Sequence, residues 1–183
     1  VCVNDRKANF RRLKGKMSEN PDNSEIIREI RLPDVPALVL GGDGGYFLTT
    51  DGEITKSSPQ ETAVQVQKQP PLLVHRLNIA RRLGINPFPA FDLLELYAFA
   101  YPARQCLPAV RGLAHALGLA VITDPEEQTL LLFDAASSIL NFLTGLNIKN
   151  RKSAAAIAMT MGQAGWNWAP TVLAALGVPE ERD

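Results

Sequence analysis

Between Ala37 and Lys56 the chain places three short strand-prone runs in succession, joined by turns that favour antiparallel pairing. Ala37-Leu-Val-Leu40 is apolar and ends at Gly41-Gly-Asp-Gly-Gly45, and Tyr46-Phe-Leu-Thr49 follows. Thr50-Asp51-Gly52 then supplies a tight turn, because Asp-Gly tolerates positive φ, so Glu53-Ile-Thr-Lys56 can return beside its neighbour. From Ser58 to Asp92 there follow a helix, a buried strand run, a second helix and a further strand-like segment in alternation. A meander followed by such alternation predicts an α/β fold whose sheet has mixed pairing.

The helices announce their ends. Ser58 reads as an N-cap with Pro59 at the first helical position and Glu61 completing a capping box, for a helix over 59–68 with Ala63, Val64 and Val66 as its apolar face. Pro70-Pro71 stops it, and Leu72-Leu-Val74 is a buried-strand run. A helix over about 77–83 ends at Gly84, and Phe91-Asp92 leads into another over 93–100. Residues 112–117 form a short helix. Asp124 caps a long one from Pro125 to about Leu143, where Leu132, Ala136, Ile139, Leu140 and Leu143 recur at helical spacing. Residues 153–163 and 171–176 form a final helical pair around Trp166-Asn-Trp168. The predicted division is a polar, disordered tail over 1–33, an α/β domain over 34–146 and a helical extension over 147–183.

Composition narrows the function classes. The formal net charge is zero over 183 residues, so whole-molecule attraction to nucleic acid is not indicated and any basic surface must be local. Cys2 and Cys106 make neither a disulfide framework nor a metal spacing, which suits a reduced, cytoplasmic setting. His75 and His115 are the only histidines, too few for a histidine-rich metal site. No apolar run approaches the ~20 residues that cross a bilayer. Val1 to Lys16 is basic and polar, unlike a secretory signal; Met17-Ser-Glu-Asn reads as a natural start.

Leu72-Leu-Val-His75-Arg-Leu-Asn-Ile79-Ala80-Arg-Arg-Leu83 resembles the strand–helix element of the DEDD 3′→5′ exonucleases, whose usual form is Leu-Val-x-His-Asn-x-x-Phe-Asp-x-x-x-Leu. Phe91-Asp92-Leu-Leu-Glu95-Leu96 through Pro102, with Leu113-Ala-x-Ala-Leu117-Gly118, is similar to a second element of that family, and Phe133-Asp134-Ala135-Ala136 to its last motif. The resemblance covers about residues 36–144 and implies a ribonuclease H-like mixed sheet flanked by helices, with a C-terminal helical appendage. Its chemistry is two-metal phosphodiester hydrolysis, in which four carboxylates hold two divalent ions ~3.5–4 Å apart. Such hard cations need oxygen ligands.

Residue by residue, that chemistry is depleted. The first-strand Asp-x-Glu falls on Gly41-Gly42-Asp43, the second-motif aspartate on Ala80, and its neighbouring asparagine on Arg76. The histidine base falls on Thr129, while Asp134 remains. The resemblance therefore implies vestigial candidates Asp43, Asp134 and His75, no catalytic set and no metal. Pro89-Ala-Phe-Asp92-Leu-Leu-Glu-Leu96, Arg111-Gly-Leu-Ala-His-Ala-Leu-Gly118 and Ala164-Gly-Trp166-Asn-Trp168-Ala-Pro170 further resemble the N-terminal region of bacterial DinG-type ATP-dependent DNA helicases. This implies an amino-terminal piece of a larger protein, whose partners are its own motor domain and DNA, with no membrane partner. No Gly-x4-Gly-Lys-Ser/Thr loop is present, so ATP would belong to a motor outside these residues.

Each sharp reading has a plainer rival. Gly41 to Gly45 is followed by a strand, so no helix N-terminus backs a phosphate there, and a hairpin turn is the better reading. Arg76, Arg81 and Arg82 could meet backbone phosphates or form a solvated helix face. Asp92 opens a helix and suits a capping role; His75 at a strand end suits a structural one. Trp166 and Trp168 could stack on bases, and packing of the helical pair is the stronger account. The leading expectation is a catalytically degenerate accessory module with no cofactor of its own, making protein or DNA contacts. The alternatives are an active exonuclease using Mg or Mn, and a stand-alone interaction domain.

Overall fold

A computed structural model describes residues 30–178. The tail read in 1–33, Cys2 and Met17 included, lies outside the described residues as far as 29. The three predicted hairpin strands are β1 (Ala37–Leu40), β2 (Gly45–Leu48) and β3 (Ile54–Ser57), and they pair antiparallel. After helix α1 (Pro59–Lys68), β4 (Leu72–Leu73) pairs parallel with β1. After α2 (Arg76–Leu83), β5 (Phe91–Asp92) pairs parallel with β4. The sheet order is β3-β2-β1-β4-β5, so the sheet is mixed, as the sequence pattern predicts.

Local chemistry sets the boundaries. Ser58 caps α1 with a complete capping box: its hydroxyl accepts from the Glu61 N–H, and the Glu61 carboxylate accepts from the Ser58 N–H at 2.8 Å. Gly84 closes α2 in the left-handed region, at φ 67°, where glycine carries no Cβ penalty. Gly44 sits at φ 150° in the β1–β2 turn, and a Cβ there would meet the Ser57 carbonyl oxygen at 2.1 Å. The glycine run is thus a hairpin turn, closed by the Gly41 N–H on the Gly44 carbonyl at 2.9 Å.

The sheet is buried on both faces. Along β1, Ala37 and Val39 point to one layer and Leu38 to the other, as strand alternation requires. Leu38, Phe47 and Leu73 pack with Val66 of α1 and with Ile79 and Ala80 of α2. The opposite face meets α3 (Leu93–Ala100), α4 (Val110–Ala116) and the long α5 (Pro125–Thr144). Leu132, Ala136, Ile139, Leu140 and Leu143 of α5 are all buried, so the helical spacing read in the sequence marks the real core face. In α1 the apolar face is narrower than expected. Val64 is 54% exposed, and the second buried position is Thr62, whose hydroxyl donates to the Ser58 carbonyl.

The final pair, α6 (Ile148–Gln163) and α7 (Ala169–Ala175), joins this core through Ala155, Ala158, Trp168, Val172 and Ala175. α6 begins five residues earlier than the sequence suggested, because Asn147 caps it by accepting from the Asn150 N–H at 2.9 Å. The junction at β5 is specific. The Asn167 amide donates to the Ala90 carbonyl at 3.1 Å and the Trp168 indole N–H to the Asp92 carbonyl at 2.9 Å. Side-chain donors thereby meet main-chain acceptors beside an edge strand. Trp168 is fully buried and meets Phe91 edge-on at 5.2 Å.

Candidate functional site

At the β4–α2 junction a left-handed residue and a buried carboxylate are tied together. His75 follows β4 in the left-handed region at φ 67°, a conformation that costs a non-glycine residue about 1–2 kcal/mol. The turn aims two successive N–H groups at one carboxylate: His75 and Arg76 donate to Asp92 at 2.9 and 2.7 Å. The Leu94 N–H donates to the same carboxylate at 3.0 Å as the cap of α3. Successive amides in such a turn form a natural anion cradle. Here the anion is internal, since Asp92 is only 5% exposed. The capping role read for Asp92 holds, and its tie back to His75 and Arg76 was not visible in sequence because it joins residues 17 and 16 positions apart.

The positions that the resemblance matches to catalytic carboxylates and to the histidine base have other surroundings. Ala80 is buried in the apolar cluster with Leu38, Phe47, Leu73 and Ile79. Thr129 is buried near the start of α5, and its hydroxyl donates to the Glu126 carbonyl at 2.6 Å. Gly41 directly follows β1, and its carbonyl accepts from the Arg82 guanidinium, which also donates to the Leu40 carbonyl at 3.1 Å. A protein cation therefore sits on the end of β1 where the family resemblance would put metal ligands. Asp43 in the adjoining turn pairs with Lys56 and accepts from the Tyr46 hydroxyl at 3.3 Å. The hydrogen bond from Lys56 holds the Asp43 carboxyl below its ordinary range. Asp134 is exposed on α5. Among the described residues no three His, Cys, Asp or Glu side chains group as a metal site would require.

The three arginines part company. Arg82 is engaged on β1, and Arg81 donates to the Asn78 side chain at 2.8 Å on the exposed face of α2. Arg76 turns the other way, donating to the Phe88 carbonyl at 3.3 Å and pairing with Glu95 at 3.4 Å. Burial raises the Glu95 pKa, and the Asp92 charge adds to this. Arg76 and the nearby Trp166 indole pull it down less strongly. Burial likewise pushes the Cys106 thiol up, away from reactive thiolate character.

Arg76 and Glu95 help line a groove of about 1240 Å³ between α3, α6 and the loops around Phe88 and Trp166. Its walls are mainly apolar, including Pro87, Ala98, Phe99, Leu146, Ile157 and Met161. Sequence reasoning missed this groove. Its signal was the apolar residues Ile157 and Met161 on a helix where the 153–163 reading assumed ordinary packing; Ile157 is 53% exposed. Phe99 and Trp166 lean on one another with ring centres 5.1 Å apart, and Phe142 leans on Tyr101 at 4.4 Å. Trp166 and Trp168 thus separate: one lines the groove and the other is buried.

No described helix is long and apolar enough to cross a membrane. Compared with family models, with curated proteins and with solved structures, the chain gives no match.

Proposed function

We propose that the chain is a catalytically degenerate, ribonuclease H-like exonuclease module that serves a DNA helicase of the DinG type through contacts instead of hydrolysis. The meander, helix, strand, helix and strand follow one another in the order that the family resemblance implies, which supports the fold reading. The observation that carries the functional reading is the fate of the second-motif position. Ala80 is 2% exposed inside an apolar cluster, where a two-metal enzyme needs a carboxylate open to an ion. Arg82 adds a fixed positive charge at the end of β1, and this opposes a divalent cation nearby.

The motor domain would lie outside these residues and supply the ATP chemistry. The module's own contribution would be a surface for protein or for DNA, with Arg81 on the exposed face of α2 as a candidate contact. The test is a titration with Mn2+ and Mg2+, read by calorimetry, beside hydrolysis of an end-labelled single strand. The expected result is no saturable two-ion binding and no cleavage. Turnover that disappears in Asp134→Ala would replace this reading with that of an active metal-dependent exonuclease.

A further inference from the structure

We propose that the segment joining α6 to α7 is a strap that closes the β5 edge of the sheet against strand addition by a second copy of the chain, a role that goes beyond the accessory-module reading. Among the described residues the sheet ends at β3 on one side and at β5 on the other. An edge strand offers unpaired main-chain groups to any strand that reaches it. The two edges are protected by different means. β3 carries Lys56, whose side chain is 50% exposed and paired with Asp43, and a lysine on an edge strand resists burial by an incoming one. β5 has no such charge to present, because the Asp92 carboxylate is turned inward to the N–H groups of His75, Arg76 and Leu94.

Main-chain groups along a strand face alternate sides. The Phe91 N–H donates to the Pro71 carbonyl at 2.9 Å, so the main chain of Phe91 faces β4. The carbonyls of its neighbours Ala90 and Asp92 face the open side. Those are the two that the strap takes, through the Asn167 amide at 3.1 Å and the Trp168 indole N–H at 2.9 Å. Two side chains thus occupy the acceptors that a further strand would use. Phe91 itself is covered by the Trp168 ring, which meets it edge-on.

The strap is fixed at both ends. Gly165 turns the chain after α6 at φ 89°, and the Trp166 N–H donates to the Met161 carbonyl at 3.0 Å. On the other side the Trp168 carbonyl accepts from the Val172 N–H at 2.9 Å, and Val172 and Ala175 of α7 are buried. Trp168 is fully buried too, so its indole N–H would lose its acceptor without gaining water if Asp92 moved away. Release of the strap would bare two carbonyls, with Ala90 and Phe91 beside them, as an uncharged edge. A second copy carries the same edge, and two β5 strands can pair antiparallel across a twofold axis.

The experiment is light scattering over a concentration series, on the intact chain and its variants. Asn167→Ala combined with Trp168→Phe removes both donors, while phenylalanine keeps an aromatic ring against Phe91. Val172→Ala loosens α7 but leaves both donors in place, so it controls for general destabilisation; circular dichroism and melting compare the folds. The parent and Val172→Ala are expected to stay monomeric. The double variant is expected to associate at concentrations at least about tenfold below any at which the parent does. Deuterium exchange should then slow at Ala90 and Asp92 in the associated species, where strand pairing engages their N–H groups. Equal association by Val172→Ala, a double variant as monomeric as the parent, or exchange slowed elsewhere than β5 would overturn the proposal. So would a parent that already associates through β5. If the double variant does not fold, Asn167→Ala alone decides, since Asn167 is only half-buried: association above the parent's is expected, and none would overturn the proposal. None of these outcomes depends on whether the chain hydrolyses DNA.

Discussion

Removal of the Asp92 side chain is the perturbation that most directly probes how this fold is held. Its carboxylate accepts from the N–H groups of His75, Arg76 and Leu94 at 2.9, 2.7 and 3.0 Å, and the residue is 5% exposed. Asp92→Ala leaves these donors without their acceptor in a site that water reaches poorly. An unpaired buried donor costs about 1–3 kcal/mol, and more when the lost acceptor was charged. The Leu94 bond is the N-cap of α3, worth about 0.5–2 kcal/mol by itself. The His75 bond also helps hold a left-handed residue that costs about 1–2 kcal/mol to keep there. Taking the middle of these ranges, the loss is about 4–5 kcal/mol, a large share of the ~5–15 kcal/mol that stabilises a typical domain.

Asp92→Asn makes the test sharper, because it keeps the shape and one oxygen. Its amide nitrogen must then face at least one N–H group, donor against donor, so about 2 kcal/mol is the expected cost. Guanidinium unfolding followed by circular dichroism gives both values. Thermal melting should show Asp92→Ala lower by about 8–20 °C, given ~2–4 °C per kcal/mol at this chain length. Near-ultraviolet dichroism reports separately on Trp168, whose indole donates to the Asp92 main-chain carbonyl and not to its side chain. A loss under about 1.5 kcal/mol for Asp92→Ala, or an Asn variant as stable as the parent, would refute the claim that the carboxylate anchors the β4–α2 junction.

Two further substitutions test the neighbouring surroundings. Ala80→Asp places a carboxylate inside an apolar cluster and should destabilise by several kcal/mol; melting with and without Mn2+ reads this. No recovery with the metal is expected, whereas stabilisation rising with Mn2+ concentration would reveal a competent ion site. Glu95→Gln tests the pH dependence. Burial raises the folded-state pKa of Glu95, so the stability its neutral form contributes is present below the ordinary carboxylate range and lost as pH rises through the raised value. Glutamine cannot ionise. The melting temperature of Glu95→Gln relative to the parent should therefore climb as pH goes from acidic to neutral, and a flat or falling difference would exclude this account.

Much of the fold was legible because its signals are local. Caps, turn glycines and prolines act within a few residues, so Ser58, Gly84 and Asp124 mark the helix ends where they were read. The heptad-like spacing in α5 marked its buried face for the same reason. What stayed hidden depends on distant partners. Nothing in sequence tells that Arg76 turns toward Phe88 and Glu95 while Arg82, on the same helix, reaches back to the end of β1. The start of α6 was missed because its first turn is polar and basic, and periodicity alone carries no signal in such a stretch. The groove was invisible because it arises only once α3 and α6 are placed side by side.

Asp92 and Ala80, the latter a carboxylate position only on the proposed exonuclease-like reading, differ for a physical reason. Asp92 has work that only an anion can perform: it satisfies three main-chain donors at a point where two helices and two strands meet. Losing it would cost the fold directly, whatever the chain does. A metal-binding carboxylate is different. Without its ion it is a buried or crowded negative charge that destabilises, so its replacement by an apolar group gains stability once the chemistry is no longer needed. On the exonuclease-like reading proposed above, Ala80, packed among Leu38, Phe47 and Leu73, would be such a replacement, with the core closed around it. On that reading, Ala80→Asp alone should give no nuclease activity, because side chains already fill the space around the position.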